Sequence, residues 1–288
     1  MMMKPEVSVL IATRNEEGNL PRCLEALKDF DDVIVIDSCS TDGTARIANE
    51  YNVPAINFQW NGFYPKKRQW CLENIKTKYD YIFFVDADEV LTPDLIIEIS
   101  NLSFDCAGYF VKGRYVWQGK ILKHGLVNNK LALFHKDKFE FPVVDDLEIE
   151  GMGEIEGHYQ PVLKGSYAGE KIGQIETPLL HYAEPQWLAR HQKYALWEAE
   201  MIRRDLYPPD PKPFRNSVKR IFRKLPMRGL FAFMHSYILK LGFLDGKAGY
   251  HFALSRYGYY KMVSAALTTS NRKEKNGGID TAAFVREK

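Results

Sequence analysis

The stretch "YIFFVDADEV", residues 81–90, sets three carboxylates, Asp86, Asp88 and Glu89, directly after a run of aromatic and β-branched residues. Carboxylates this close repel one another, and burying one without a partner is costly. Two chemistries answer that cost. Acidic side chains suit the first turn of a helix, and "LTPDLI" follows. Alternatively, Mg²⁺ or Mn²⁺ takes oxygen ligands from one or two carboxylates together with substrate phosphates. In an extended stretch Asp86 and Asp88 project to the same side. One can then face a ribose while the other holds a metal that bridges a diphosphate.

Two other polar clusters match this one. "ATRNEE" (12–17) offers Thr13, Asn15 and Glu16, and "VIDSCSTDGT" (35–44) offers Asp37 ahead of a Ser/Thr/Gly turn. A carboxylate at a strand tip can accept hydrogen bonds from base or ribose groups. Neither cluster is a GxGxxG fingerprint or a GxxxxGK[ST] loop, which excludes a standard dinucleotide fold and an ATPase-type phosphate cradle.

The elements that must position these clusters are legible. "VSVLIAT" (7–13), "DVIVIDS" (32–38), "VPAINFQ" (53–59) and "YDYIFFVDADEV" read as strands, with helical patterns between and after them. Such alternation over about the first hundred residues predicts a mostly parallel α/β sheet with helices on both faces. Ligands in such sheets bind outside the carboxyl ends of the strands, where all three polar clusters fall. Residues 105–182 alternate and carry glycine punctuation, which predicts antiparallel ribbons and loops against the sheet. Beyond 186 the chain reads as helical. "YPPDPKP" (207–213) is a stiff linker, followed by two helical segments and a polar tail.

"VSVLIATRNEEGNLPRCLEAL", "VIVIDSCSTDGTARIA" and "YIFFVDADEVLTPDLI" resemble family 2 glycosyltransferases of GT-A fold. With "LLHY" and "GFLDGKAGY" they are similar to the lipopolysaccharide-core β-1,4-glucosyltransferase branch. The resemblance implies inverting transfer of a hexose from a nucleotide sugar. By carry-over, Thr13, Asn15, Glu16 and Asp37 line the nucleoside pocket, and Lys67 and Arg68 lie near the donor. Asp86 contacts ribose and metal, Asp88 is the principal metal ligand, and His181 meets the metal or the diphosphate. A lone His after an apolar pair, as in "PLLHYAE", also reads as a structural residue.

Inverting transfer needs a base to take the acceptor proton. Where the related branch carries "VHE", this chain has "FPVVDDLEIEG". The base is open among Asp145, Asp146 and Glu148, with Asp146 at the Glu position favoured. Arg114, Trp117 and Lys123 could hold an acceptor sugar, stacked on Trp117, or be ordinary ribbon residues.

Composition bounds the reading. The 288 residues, 45% hydrophobic and 26% charged, suit one large domain or a domain with an appendage. Cys23, Cys39, Cys71 and Cys106 form no CxxC pair, which predicts reduced thiols and no zinc. The opening "MMMKPEVSVLIATRNEE" does not read as a signal peptide. The formal net charge of +2 conceals a basic segment, since Asp245 is the only acid among residues 212–261. "LFAFMHSYILKL" (230–241) places Leu230, Phe231, Met234, Tyr237, Ile238 and Leu241 on one stripe, too short to span a bilayer but suited to its interface. Basic residues beside it favour an anionic membrane surface or lipopolysaccharide phosphates. Nucleic acid is not indicated, because no helix-turn-helix, zinc or RNP-like pattern accompanies the charge.

The expectation is therefore a GT-A catalytic domain over 1–185, divided into a nucleotide-sugar half (1–104) and an acceptor half (105–185). A basic helical extension follows over 186–288. The enzyme is expected to use UDP-glucose with Mg²⁺ or Mn²⁺ on a saccharide or lipid-linked acceptor in cell-envelope glycan synthesis. Its expected place is cytoplasmic, peripheral at the inner face of the cytoplasmic membrane. The rivals are a metal-dependent nucleotidyltransferase and a membrane-binding module with a degenerate site.

Overall fold

The computed structural model describes residues 4–149, 152–156, 159–182, 187–208 and 210–277. Four parallel strands carry the first half: β1 (Ser8–Thr13), β2 (Val33–Asp37), β3 (Ala55–Asn57) and β4 (Tyr81–Asp86), in the order β3-β2-β1-β4. The interiors of β1, β2 and β4 are near-continuously apolar because both sheet faces are covered there, whereas β3 at the sheet edge is largely exposed. Val9, Ile11, Val35, Phe83 and Val85 face one layer of core, and Leu10, Ile34, Ile36, Ile82 and Phe84 face the other. The register aligns the polar strand ends. Thr13 lies opposite Asp37, and Ala12 lies opposite Asp86.

The intervening helices are α1 (Leu20–Ala26), α2 (Thr44–Glu50), α3 (Lys67–Asn74) and α4 (Pro93–Ser100). Thr92 caps α4, its hydroxyl accepting from the Leu95 amide at 3.3 Å. The helix-start reading holds for Pro93 but not for Glu89, which lies in the short strand β5 (Glu89–Val90). Glu89 has a different task, taken up below.

The second half extends the sheet with β6 (Gly108–Trp117), its hairpin partner β7 (Lys120–Ile121), β8 (Asn128–His135) and β11 (Ile172–Tyr182). A separate pair, β9 (Phe139–Glu140) and β10 (Val162–Leu163), is antiparallel. The expected antiparallel pairing is found where β8 runs between β4 and β6. It fails for β11, which is parallel to β6, because the chain leaves β8 beside the start of β6, passes through β9 and β10, and enters β11 at that same end. β5 then pairs antiparallel with β11, placing His181 opposite Glu89.

Four helices follow: α5 (Trp187–Arg204), α6 (Pro213–Lys224), α7 (Arg228–Met234), which runs into a π-helical turn (His235–Leu239), and α8 (Gly246–Gly277). Ala195 and Ala199 of α5 pack against Tyr259 and Val263 of α8. The proline-rich stretch is anchored, not a free spacer: buried Asp210 accepts from the Lys212 amide at 2.9 Å and pairs with Lys219 at 2.8 Å. The "polar tail" is helical to Gly277, and residues 278–288 lie outside the described residues.

Candidate active site at the carboxyl rim of the sheet

A cleft of about 1090 Å³ opens at the carboxyl ends of β1 and β4. Thr13, Glu16, Lys67, Arg68, Asp86, Asp88 and His181 line one end, and α5 walls it with Trp187, Arg190 and Tyr194. The far end reaches Arg223 of α6 and Tyr260 of α8.

The question raised by the clustered carboxylates is answered by three cations. Asp86 Oδ1 accepts from Arg68 at 2.8 Å, and its Oδ2 lies 3.2 Å from Lys130 Nζ. Lys130 also pairs with Glu89 at 2.5 Å, and Arg190 donates to Asp88 at 2.8 Å. Burial works against ionisation of Asp86, but Lys130 and Arg68 outweigh it and hold the carboxyl well below its ordinary value. Asp88 is also lowered: burial opposes, and His181 and Arg190 prevail. Glu89 is raised, chiefly by its complete burial. It accepts from the Asp86 amide at 3.0 Å, so it shapes the β4–β5 turn that aims its two neighbours.

His181, reaching in from β11, lies with Nε2 3.5 Å from Asp88 and stacks on Tyr115. Burial lowers its pKa, but the Asp88 carboxylate raises it further, and the net shift is upward. Its Nδ1 is buried without a hydrogen-bond partner. Glu16 accepts from Asn19 at 2.8 Å and lies 3.4 Å from Arg190; burial is the main cause of its raised pKa. Lys67 Nζ donates to the Thr13 carbonyl at 3.2 Å and is lowered, mainly by burial.

Asn15 and Asp37 do not line the cleft; they build its rim. Thr13 Oγ1 donates to Asp37 at 2.9 Å, and the Ser40 amide donates to Asp37 at 2.9 Å. Asn15, at φ +55°, accepts from the Thr41 amide at 2.8 Å. That left-handed conformation is one Asn tolerates better than most residues. The two bonds lock the loop after β1 to the turn after β2.

The favoured base, Asp146, does not line the cleft. Asp146 is 1% exposed and sealed: Lys66 Nζ donates to it at 2.8 Å, Tyr64 at 2.9 Å, and Tyr159 donates as well. No substrate hydroxyl reaches a carboxylate held this way. Asp145 and Glu148 are exposed but stand outside the cleft wall. The carboxylates that do line it downstream are Glu154, Glu156, Glu198 and Asp210; the last two are held by Tyr259 and by Lys219. Glu156 accepts from the Arg68 and Gln69 amides at 2.8 and 3.0 Å, capping the start of α3. Glu154 is held only loosely, 3.4 Å from Arg14 and 3.7 Å from Lys67. Trp117 is also corrected as an acceptor platform, since it is buried against Trp187 and Phe252. Arg114 and Lys123 stand outside the cleft wall as well. Sequence reasoning missed Lys130, Arg190 and Glu154. Lys130 had a signal, a lone cation on the inward alternation of "NNKLALF".

Residues 8–148 match the family model described as glycosyl transferase family 2. The lipopolysaccharide core biosynthesis glycosyltransferase LpsC of Rhizobium meliloti is 33% identical over 122 residues, 40% of this chain and 44% of that protein. The uncharacterized glycosyltransferase RT0209 of Rickettsia typhi is 34% identical over 101 residues, 34% of this chain and 32% of that protein. The chain thus spans less than half the length of these relatives. Among solved structures, the mannosyltransferase PcManGT from Pyrobaculum calidifontis, in complex with GDP-Man and Mn²⁺, superposes with a TM-score of 0.50. That match has 15% identity and covers 92% of this chain and 88% of that one, a likeness of fold. The fold is of GT-A type, and residues 8–148 are similar to the glycosyltransferases of family 2.

Proposed function

We propose that the chain transfers a hexose, glucose from UDP-glucose, with inversion, to a saccharide acceptor of lipopolysaccharide-core or other cell-envelope glycan synthesis. The observation that carries this is the convergence of Asp86, Asp88 and Glu16 on one cleft end with Arg68, Lys130 and Arg190. A nucleoside diphosphate and its cation together present both signs of charge to such a set. Asp88 and His181 are the residues that suit a divalent metal. Their facing atoms are 3.5 Å apart in the cleft wall, and no group of three ready ligands occurs among the described residues. Two protein donors leave the remaining positions to diphosphate and water, as Mg²⁺ and Mn²⁺ prefer. A divalent ion held by Asp88 and His181 would supply charge stabilisation for the leaving diphosphate. Asp86, with both oxygens held by Arg68 and Lys130, supports from outside that pair. Thr13 and Lys67 stand beside the nucleoside end, and the Asn15 and Asp37 bonds hold that rim rigid. Glu154 takes the role of base, being the downstream cleft carboxylate without a short bond.

The same reading places the protein at the inner face of the cytoplasmic membrane. Leu230, Phe231, Met234, Ile238 and Leu241 are each 41–46% exposed, so the apolar stripe is not docked on the catalytic half. α6 adds Phe214 at 80%, Val218 at 48% and Ile221 at 64%. Apolar patches this extended mark interaction surfaces, and the adjacent Lys and Arg side chains suit anionic headgroups. No helix among the described residues is long and apolar enough to cross a membrane.

The test is a thermal-shift series on the full chain with UDP-, GDP- and dTDP-sugars, with and without Mn²⁺. UDP-glucose is expected to raise Tm only when the metal is present, and UDP to be released on adding acceptor. Release of pyrophosphate from a nucleoside triphosphate instead would establish the nucleotidyltransferase alternative.

A further inference from the structure

The far end of the cleft holds a charge imbalance that transfer chemistry at Asp88 does not use. Arg223 of α6 and Arg256 of α8 line it beside Glu198 of α5, and the buried Arg228 of α7, outside the lining, also acts on Glu198; exposed Asp205 is the other acid near Arg223. Arg228 is only 4% exposed. Its Nη1, Arg256 Nε and the Tyr207 hydroxyl are buried with no hydrogen-bond partner. Among the described residues none of the three guanidiniums forms a salt bridge, and the Glu198 carboxylate is occupied by the Tyr259 hydroxyl. Arg223 stacks over Tyr207, its guanidinium 3.2 Å from the ring centroid. Arg256 meets Tyr260, which leaves its Nε free, and buried guanidinium nitrogens without a partner are costly unless an anion completes them.

α6 shows which way that anion enters. Phe214, Val218 and Ile221, spaced i, i+4, i+7, face outward and are exposed. Arg215, Lys219, Phe222 and Arg223, on the opposite side, line the cleft. Asp210 neutralises Arg215 and Lys219, at 3.4 and 2.8 Å, and leaves Arg223 unpaired. A helix with its apolar face outward and its cationic face inward brings the cleft mouth to the membrane plane.

We propose that Arg223 and Arg256, backed by the charge of buried Arg228, form a binding site for a phosphate monoester carried by the acceptor, on its saccharide or on its lipid anchor. The proposal rests on the glycosyl-transfer reading for the word acceptor alone. Guanidinium forks match phosphate oxygens, and a dianion balances the excess positive charge. The anchored phosphate fixes one end of the acceptor while the other end reaches the donor along the same cleft.

The experiment is isothermal titration of the full chain with glucose 6-phosphate and with dihexanoyl phosphatidic acid. Glucose and dihexanoyl phosphatidylcholine are the controls. At least one phosphate monoester should bind tenfold or more tightly than its control, and the tighter one identifies the source. Arg223→Gln, at a half-buried position, should weaken that binding about tenfold while UDP affinity with Mn²⁺ changes less than twofold. Equal binding of phosphates and controls, or an indifferent variant, overturns the proposal. So does a UDP affinity that falls in step, because the arginines would then serve the donor. If the wild type binds no nucleotide sugar but shows the Arg223-dependent phosphate binding, the site stands and the transfer reading falls.

Discussion

Arg190 donates to Asp88 across 2.8 Å, tying the first helix after the sheet to the turn that follows β4. A guanidinium in that position competes with a divalent cation for the same carboxylate. Removing it should separate two affinities that usually move together. Arg190→Gln should bind Mn²⁺ alone about five- to tenfold more tightly, consistent with the loss of one charge-assisted hydrogen bond. UDP binding in the presence of Mn²⁺ should weaken by a similar factor, because the variant lacks the guanidinium that the metal would release toward the diphosphate. Mn²⁺ titration followed by electron paramagnetic resonance, beside UDP calorimetry, reads both. Movement of both in one direction contradicts the exchange.

The sequence suggests Asp146 as the base, and the proposed function gives that role to Glu154. Breaking the buried Lys66–Asp146 pair by Asp146→Ala should cost about 3–5 kcal/mol, as for other buried pairs. Glu154→Gln should leave the unfolding midpoint within a few degrees and lower the transfer rate by roughly a hundredfold or more. UDP affinity should be spared. Urea unfolding curves and initial rates on both variants decide; a stable, slow Asp146→Ala restores the original assignment.

Glu156 predicts a pH signature. Its folded pKa is raised above 4.5, chiefly by burial. A raised group contributes stability that is fully present below the unfolded value and is lost as pH rises through the folded one. Glu156→Gln keeps an acceptor for the Arg68 and Gln69 amides but removes that slope. The melting-temperature difference, variant minus wild type, should therefore grow as pH rises from about 4.5 and then level off. A difference constant across that window rejects the account.

The exposed face of α6 predicts salt-sensitive membrane binding. Phe214→Glu with Ile221→Glu should lower partitioning onto vesicles of phosphatidylglycerol and phosphatidylcholine roughly tenfold at low salt. Circular dichroism should remain unchanged. Vesicle sedimentation measures it, and unaltered partitioning removes α6 from the membrane contact.

The first hundred residues were legible because their information is local. Apolar runs such as "VIVID" specify buried parallel strands, and each ends in polar residues that register then aligns. Asp86, Asp88 and Glu16 stand out by type and position, and His181 entered through the family resemblance. The partners that neutralise them do not stand out, because Lys130 and Arg190 arrive from β8 and α5, 44 and 102 residues beyond Asp86 and Asp88. Asp146 misled for the same reason. Its carboxylate looks free in "VVDDLE", and only tertiary structure brings Lys66, Tyr64 and Tyr159 around it. Trp117 likewise alternates as a surface ribbon residue until α8 covers it with Phe252.

The central claim is that the Asp88 end of the cleft receives a nucleotide sugar through its diphosphate and metal. Its most direct test is metal-dependent release of UDP from UDP-glucose by the purified full chain and by Asp88→Ala, with both melting temperatures recorded. The account predicts that the variant stays folded and loses the activity by about a hundredfold or more. A folded Asp88→Ala that releases UDP at the wild-type rate contradicts it.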